Sequence, residues 1–303
     1  MQKPIVLVLC AIAPLAFAGE PQVITTTQTS TLAPVPIDFI STETAYVFES
    51  DVNHGGSFGK ADTFQNEFEY GHRFLIGGNW YLHAGLDYSR FDIGRTAAPL
   101  PVHLQSASAV IGIDYMHGQD IGAFIQFRPG FYTEEKLGLR SFDVPITLAR
   151  FWTVQPDKLY ILTGATGSFL RRNLPVYPIV GLVWVPNEHL RLMGVPPEPK
   201  LIYSVNKQLD LWIGGEFAGG WFRTDPHPEY LLRGPKVAKV NEAVLEFDDY
   251  RAGVGATYSP TDKIDIDLRV GSSALRKFKY ANVGETYRTD PAPYVGLEFR
   301  AKF

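Results

Sequence analysis

The chain has 303 residues, 45 % apolar and 20 % charged, with a formal net charge of −4 and one cysteine. That balance excludes a disordered chain, and a mean hydropathy of −0.05 excludes a helical membrane bundle. With no basic excess and no basic cluster, no nucleic-acid partner is expected.

Residues 1–18 read as a secretory signal peptide. Lys3 supplies the positive start, Pro4 to Phe17 the apolar stretch, and Ala16-Phe17-Ala18 an A-x-A cleavage site. Pro4 to Ala18 is shorter than the ~20 residues of a membrane-spanning helix, which disfavours an anchor. Cys10 lies inside this signal and follows Leu9, where a lipoprotein site needs a small residue. Cleavage behind Ala18 leaves no cysteine, hence no disulfide or thiolate metal site. Residues 19–41, Thr- and Pro-rich and without a period, read as an extended periplasmic segment.

From residue 42 to 303 the dominant signal is period-two alternation, the mark of two-faced strands. Trp80, Leu82, Ala84, Leu86 and Tyr88 oppose Tyr81, His83, Gly85, Asp87 and Ser89. Ala107, Ala109, Ile111, Ile113 and Tyr115 oppose Ser106, Ser108, Gly112 and Asp114. Val144–Thr153 and Leu159–Ala165 alternate poorly. Tyr250 to Tyr258, Ile264 to Val270 and Pro293 to Phe303 alternate cleanly. The polar faces carry glycines and charges of both signs, and the apolar faces carry aromatics near their ends. That distribution suits a barrel with a polar lumen and a lipid-facing exterior better than a soluble sheet.

Short turn signals stand at 77–79, 117–119, 155–157, 186–188, 206–208 and 261–262. Each has an aromatic residue close by: Trp80, Tyr115, Trp152, Trp184, Tyr203 and Tyr258, which read as a periplasmic girdle. Longer stretches intervene at 53–62, 95–104, 134–142, 171–174, 196–199, 225–241 and 277–290. Short periplasmic turns alternating with longer outer loops predict an all-β fold, one antiparallel transmembrane barrel of about 14 strands. If 189–206 is one distorted strand around Pro196-Pro197-Glu198-Pro199, the number becomes about 12.

The end of the chain, Tyr294-Val295-Gly296-Leu297-Glu298-Phe299-Arg300-Ala301-Lys302-Phe303, resembles the C-terminal β-signal of Gram-negative outer-membrane proteins. Val295, Leu297, Phe299, Ala301 and Phe303 occupy the alternate apolar places, the last of them aromatic. The resemblance implies an outer-membrane location, periplasmic chaperones, the barrel-assembly machinery, and outer-membrane lipids and lipopolysaccharide as surroundings.

Enzymatic motifs are not apparent. The seven histidines (54, 72, 83, 103, 117, 189 and 227) include no H-E-x-x-H pair. His83, Asp87 and Ser89 share one strand face, but His83 and Asp87 lie ~13 Å apart along a strand, too far to hydrogen bond. There is no G-x-S-x-G elbow or phosphate loop. Glu246-Phe247-Asp248-Asp249 and Asp225 are oxygen-rich but lack calcium-loop spacing. No cofactor is expected.

The informative residues are charges on the expected lumen face: Glu49, Glu67, Glu69, Arg73, Asp87, Asp114, Arg128, Asp210, Glu216, Asp249, Arg251, Asp265, Asp267, Arg269, Glu298, Arg300 and Lys302. Facing lipid, each charge would cost up to ~2–4 kcal/mol, so they need water or partners. They point to a passive channel for small hydrophilic solutes, not an enzyme. Acids outnumber bases, implying a mild cation preference. A non-conducting barrel with binding loops is the alternative, and a barrel-embedded hydrolase a third reading.

Overall fold

The computed structural model describes residues 37–117, 120–171, 175–227, 239–281 and 283–303. The signal peptide, its cleavage site and most of the 19–41 segment lie outside them.

The strands are β1 (Asp38–Asn53), β2 (Ser57–Gly77), β3 (Trp80–Ile93), β4 (His103–His117), β5 (Asp120–Phe127, Gly130–Thr133), β6 (Phe142–Asp143, Ile146–Gln155) and β7 (Leu159–Gly167). They continue as β8 (Val176–Trp184), β9 (Leu190–Gly194), β10 (Lys200–Asn206), β11 (Leu209–Arg223), β12 (Val244–Thr261), β13 (Ile264–Tyr280) and β14 (Thr286–Thr289, Ala292–Lys302). Each pairs antiparallel with the next, and β14 returns to β1 from Phe39↔Lys302 to Val47↔Tyr294, closing a 14-strand barrel. Region 189–206 forms two strands, β9 and β10, so the count of about 14 holds and the 12-strand alternative does not.

Three strands are interrupted, and every break holds a proline: Pro129 in β5, Pro145 in β6 and Pro291 in β14. Proline has no N–H to give a ladder, so regular pairing lapses there. The Pro129 and Pro145 carbonyls still accept, from Ala109 and Arg128. The wall therefore stays continuous.

The short turns gather at one end of the barrel and the longer connections at the other, here called the turn end and the loop end. Alternation sets the two faces. Leu86, Ile113, Leu182, Val254, Leu268 and Leu297 are exposed on the outside, while Asp114, Arg251, Asp267, Arg269 and Glu298 are buried within. An apolar exterior around a charged interior is the inverse of a soluble domain and the arrangement of a barrel in lipid.

Some boundaries differ from the sequence reading. β1 begins at Asp38, before residue 42. The 53–62 stretch is mostly strand, leaving a connection of only 54–56. Of 277–290, only 281–285 separates the runs of β13 and β14. β6 to β8 alternate poorly because their inward residues are apolar too. Ala149, Tyr160, Leu162, Ile179 and Val183 form a buried cluster inside the wall.

The wall is uneven in height. β9 has 5 residues and β10 has 7, whereas β11, β12 and β13 have 15, 18 and 17. Above the low sector, β11 turns inward. Gly219 provides the bend, with φ +133, and a Cβ there would stand 2.1 Å from the Phe247 carbonyl oxygen. Only glycine tolerates both conditions. At the loop end Arg223 of β11 lies beside Thr133 of β5, in parallel. The long strands thus close on one another across the gap left by β6 to β10.

Candidate functional site: the charged lumen and its closure

β13 is the spine of the lumen. Its inward residues from the turn end are Asp265, Asp267, Arg269, Gly271 and Ser273. The register against β12 then skips a residue between Ser273 and Leu275, a bulge that brings Arg276 inward.

Arg269 is fully buried and gathers carboxylates from several strands. It lies 2.9 Å from Glu216 on β11, 2.8 Å from Glu298 on β14, 3.4 Å from Glu43 on β1 and 3.3 Å from Asp267. Glu198, in the β9–β10 connection, stands 3.7 Å away and also pairs with Lys200. Glu216 accepts from Arg251 at 2.8 Å, and Arg251 donates to Asp249 at 2.8 Å and to Gln65 on β2 at 2.6 Å. Towards the turn end, Arg300 approaches Glu298 at 3.2 Å and Lys302 approaches Asp265 at 2.7 Å. The result is one charged chain along the barrel axis, with both signs interleaved. Burying such groups is costly, and only mutual pairing and hydrogen bonding offset the loss of water.

A second group lines β2 to β5. Arg128 donates to Asp87 at 2.9 Å and approaches Glu69 at 3.4 Å, and Arg73 donates to Asp114 at 2.7 Å. Arg276 donates to Thr63 at 2.7 Å, to Ser50 at 2.6 Å and to the Ala61 carbonyl at 2.8 Å.

Of the charges expected in the lumen, all but one face inward. Glu49 is the exception. It sits with Phe48 at a break in register between Val47 and Ser50, and both side chains are exposed. Sequence reasoning missed Glu43, Glu198 and Arg276. Glu43 was legible from Thr42-Glu43-Thr44, but Arg276 was not, since the bulge reverses its face. Ser89 meets Ser106 at 2.8 Å, while Asp87 belongs to Arg128 and His83 stands 3.9 Å from Asp114. The three are not brought together. Glu246 and Asp248 are buried on the strand face opposite Asp249, paired with Lys279 and Lys277 at 2.9 and 3.1 Å, while Asp249 faces the lumen. That stretch is strand, not an ion-binding loop.

The aromatics Trp80, Trp152, Trp184, Tyr203 and Tyr258 are exposed on the outside near the short turns, and Tyr115 packs 4.9 Å from Trp80. Val295, Leu297 and Phe299 are exposed outward and Ala301 is buried. Phe303 exchanges backbone hydrogen bonds with Asp38 at 2.9 and 3.1 Å.

At the loop end the lining changes character. Phe91, Leu104, Tyr132, Trp221, Phe222, Leu245, Phe247, Phe278 and Tyr280 fill the interior as a buried apolar cluster. Beside it the ends of β5 and β11 are clasped together. The Glu134 carboxylate accepts from the Asp225 amide at 2.8 Å and meets His227 at 2.9 Å. In return the Asp225 carboxylate accepts from the Lys136 amide at 3.1 Å. The two carboxylates thus tie the ends of β5 and β11 together.

Among solved structures, an outer-membrane channel from Pseudomonas putida F1 aligns with a TM-score of 0.47 and 13 % identity, over 90 % of this chain and 98 % of that one. A deletion mutant of TodX, a monoaromatic hydrocarbon channel, aligns with a TM-score of 0.46 and 9 % identity, over 93 % and 94 %. The translocator domain of the autotransporter NalP from Neisseria meningitidis gives 0.37 and 11 %, over 89 % and 90 %. No family model and no curated protein matches the chain. These similarities are too weak to assign a family.

Proposed function

We propose that the protein is an outer-membrane barrel that passes small hydrophilic solutes, and that it stands closed in the conformation described. The charged chain from Lys302 and Asp265 to Asp249 supports this reading. A barrel needing only stability would gain as much from apolar filling, because replacing buried ion pairs by well-packed apolar residues is often neutral or stabilising. A wall that keeps its charges along the axis suits a path that admits water and ions. Fourteen strands enclose more space than the ~8 that side chains fill unaided.

The acids on the lumen face still outnumber the bases once Glu49 is removed and Glu43, Glu198, Arg276 and Lys200 are added. The proposed channel therefore carries a mild cation preference, strongest at low salt, where the screening length is ~30 Å at 0.01 M. The apolar exterior and the aromatics beside the short turns support residence in the outer membrane with the turn end towards the periplasm. Fractionation of membranes and N-terminal sequencing test the location and the cleavage behind Ala18.

Recordings from the purified protein in planar bilayers test the function. The expected result is rare, small openings whose reversal potential in a salt gradient favours cations. A persistent anion preference at low salt overturns the assignment. The closure at the loop end favours a second reading, a non-conducting barrel whose loops bind a partner. Silence that survives release of the clasp selects that reading.

A further inference from the structure

The lipid-facing side of β6 carries a charge that the channel reading does not use. Arg150 stands between Leu148 and Trp152 on the outer face, and all three are exposed. Their neighbour Ala149 points the other way, into the buried cluster within the wall. The five residues from Arg150 to the strand end at Gln155 fix its height. At ~3.3 Å per residue and a tilt near 40°, its backbone lies ~13 Å into an apolar band ~25 Å tall. A lipid-facing cation is unfavourable at that depth, and an ionisable group kept there calls for a partner.

The side chain leaves that depth along the wall. Its guanidinium carbon lies 4.0 Å from the centre of the Trp152 ring, which is two residues nearer the turn end. Trp152 belongs to the girdle, and rings of that kind sit at headgroup level. The stem of Arg150 therefore covers apolar wall while its charge reaches the headgroups of the turn-end leaflet.

Among the described residues this guanidinium makes no ion pair and no hydrogen bond. Its neighbours across the ladder are Ala123 on β5 and Thr163 on β7, neither of them acidic. Thr163 is exposed as well. Its hydroxyl oxygen accepts from the Trp152 indole N–H at 2.8 Å, which leaves the hydroxyl hydrogen to give. The patch thus offers a guanidinium fork and a hydroxyl donor beside one indole plate, with no carboxylate to compete. Such a donor set fits an anion with several oxygens, and the planar fork matches a phosphate.

We propose that Arg150, Thr163 and Trp152 hold the phosphate of one anionic phospholipid of the periplasmic leaflet, its acyl chains running up the wall past Leu148. The inference rests on residence in the outer membrane with the turn end towards the periplasm. An acidic protein partner is disfavoured as occupant, because exposed Leu148, Val154 and Trp152 surround the charge with surface suited to lipid.

The test reconstitutes the protein in vesicles of phosphatidylcholine and phosphatidylglycerol in equal parts. Detergent re-extraction and native mass spectrometry then count the lipids retained. Wild type is expected to keep one phosphatidylglycerol per barrel in preference to phosphatidylcholine. Arg150→Gln should lower that preference about fivefold, since a cation near a membrane surface contributes ~1 kcal/mol towards anionic lipid. The variant removes a charge from the lipid face and leaves the wall intact, so the barrel still folds. Arg90, held 2.8 Å from Asp92 towards the loop end, is the control, and Arg90→Gln should leave the preference unchanged. Equal drops in both variants would reduce the effect to net charge and overturn the proposal. So would equal retention of the two lipids by wild type, an unchanged preference in Arg150→Gln, or a protein partner in place of bound lipid. Heat-modifiable gel mobility, read on the same samples, reports insertion itself. A barrel that inserts without preferring phosphatidylglycerol refutes this site alone, and one that never inserts refutes the membrane reading.

Discussion

The Glu134 amide donates to the Arg223 carbonyl at 2.9 Å, although β6 to β10 lie between the strands that lead to these residues. An up-and-down barrel has no reason to bring β5 to β11 unless the intervening wall is low. Here that wall is low, and the contact turns the loop end into a narrower, filled closure.

If the clasp holds the closure, weakening it should raise conductance. Glu134→Gln with Asp225→Asn keeps the shapes and removes both charged acceptors, each hydrogen bond to a charged group being worth ~1.5–3 kcal/mol. Planar-bilayer recordings should show longer and more frequent openings than wild type, with unchanged heat-modifiable mobility. An unaltered closed record would remove the clasp from the account.

Gly219→Val should prevent assembly. The change combines an unfavourable positive φ with a backbone collision, costing more than the ~1–3 kcal/mol of a strained residue alone. Gly78 also has positive φ, +57, but faces open space, so Gly78→Asn should be tolerated. Comparing the folded gel bands of the two variants checks the pair. Equal yields would show that the bend at Gly219 is not required.

Arg269→Gln should destabilise the barrel strongly, by ~3–5 kcal/mol, because it leaves buried carboxylates without their cation. Adding Glu216→Gln removes one of those charges and should recover part of the loss. Midpoints of urea unfolding measure the two steps. A double variant no more stable than the single one would argue that Glu216 does not depend on Arg269.

Deleting Phe303 should lower the surface abundance of folded barrel. Its side chain is exposed outside the wall and touches nothing in the lumen chain. The deletion also removes two backbone hydrogen bonds to Asp38 at the seam, so Phe303→Ala, which keeps them, should show the same loss if the side chain is the signal. Undiminished abundance would count against a role for this residue as a recognition signal.

Strand number, the two faces and the turn end were legible because period-two alternation and short turns are local properties. The lumen charges followed from them wherever alternation was strict, as at Asp265, Asp267 and Arg269. They failed where the backbone breaks step. The shift near Glu49 and the bulge beside Ala274 each reverse a face, and no local residue pattern announces either. The closure was not legible at all. Phe278 falls in the expected outer stretch 277–290, and no local pattern assigns Trp221 or Phe247 to the interior; the bend at Gly219 and the meeting of Arg223 with Thr133 place them there. Such long-range contacts leave no trace in a local period.

The seam between β1 and β14 carries a consequence in time. Phe39 pairs with Lys302 and Val47 with Tyr294, so the first strand of the barrel waits for the final one before its second edge is covered. Contacts this distant in sequence are slow to form, because the loop-closure entropy is lost before any pairing repays it. Until then β1 presents an unpaired edge, the kind of surface that invites pairing with a wrong chain. The interval between synthesis and closure of this seam is thus an aggregation-prone stage for the chain.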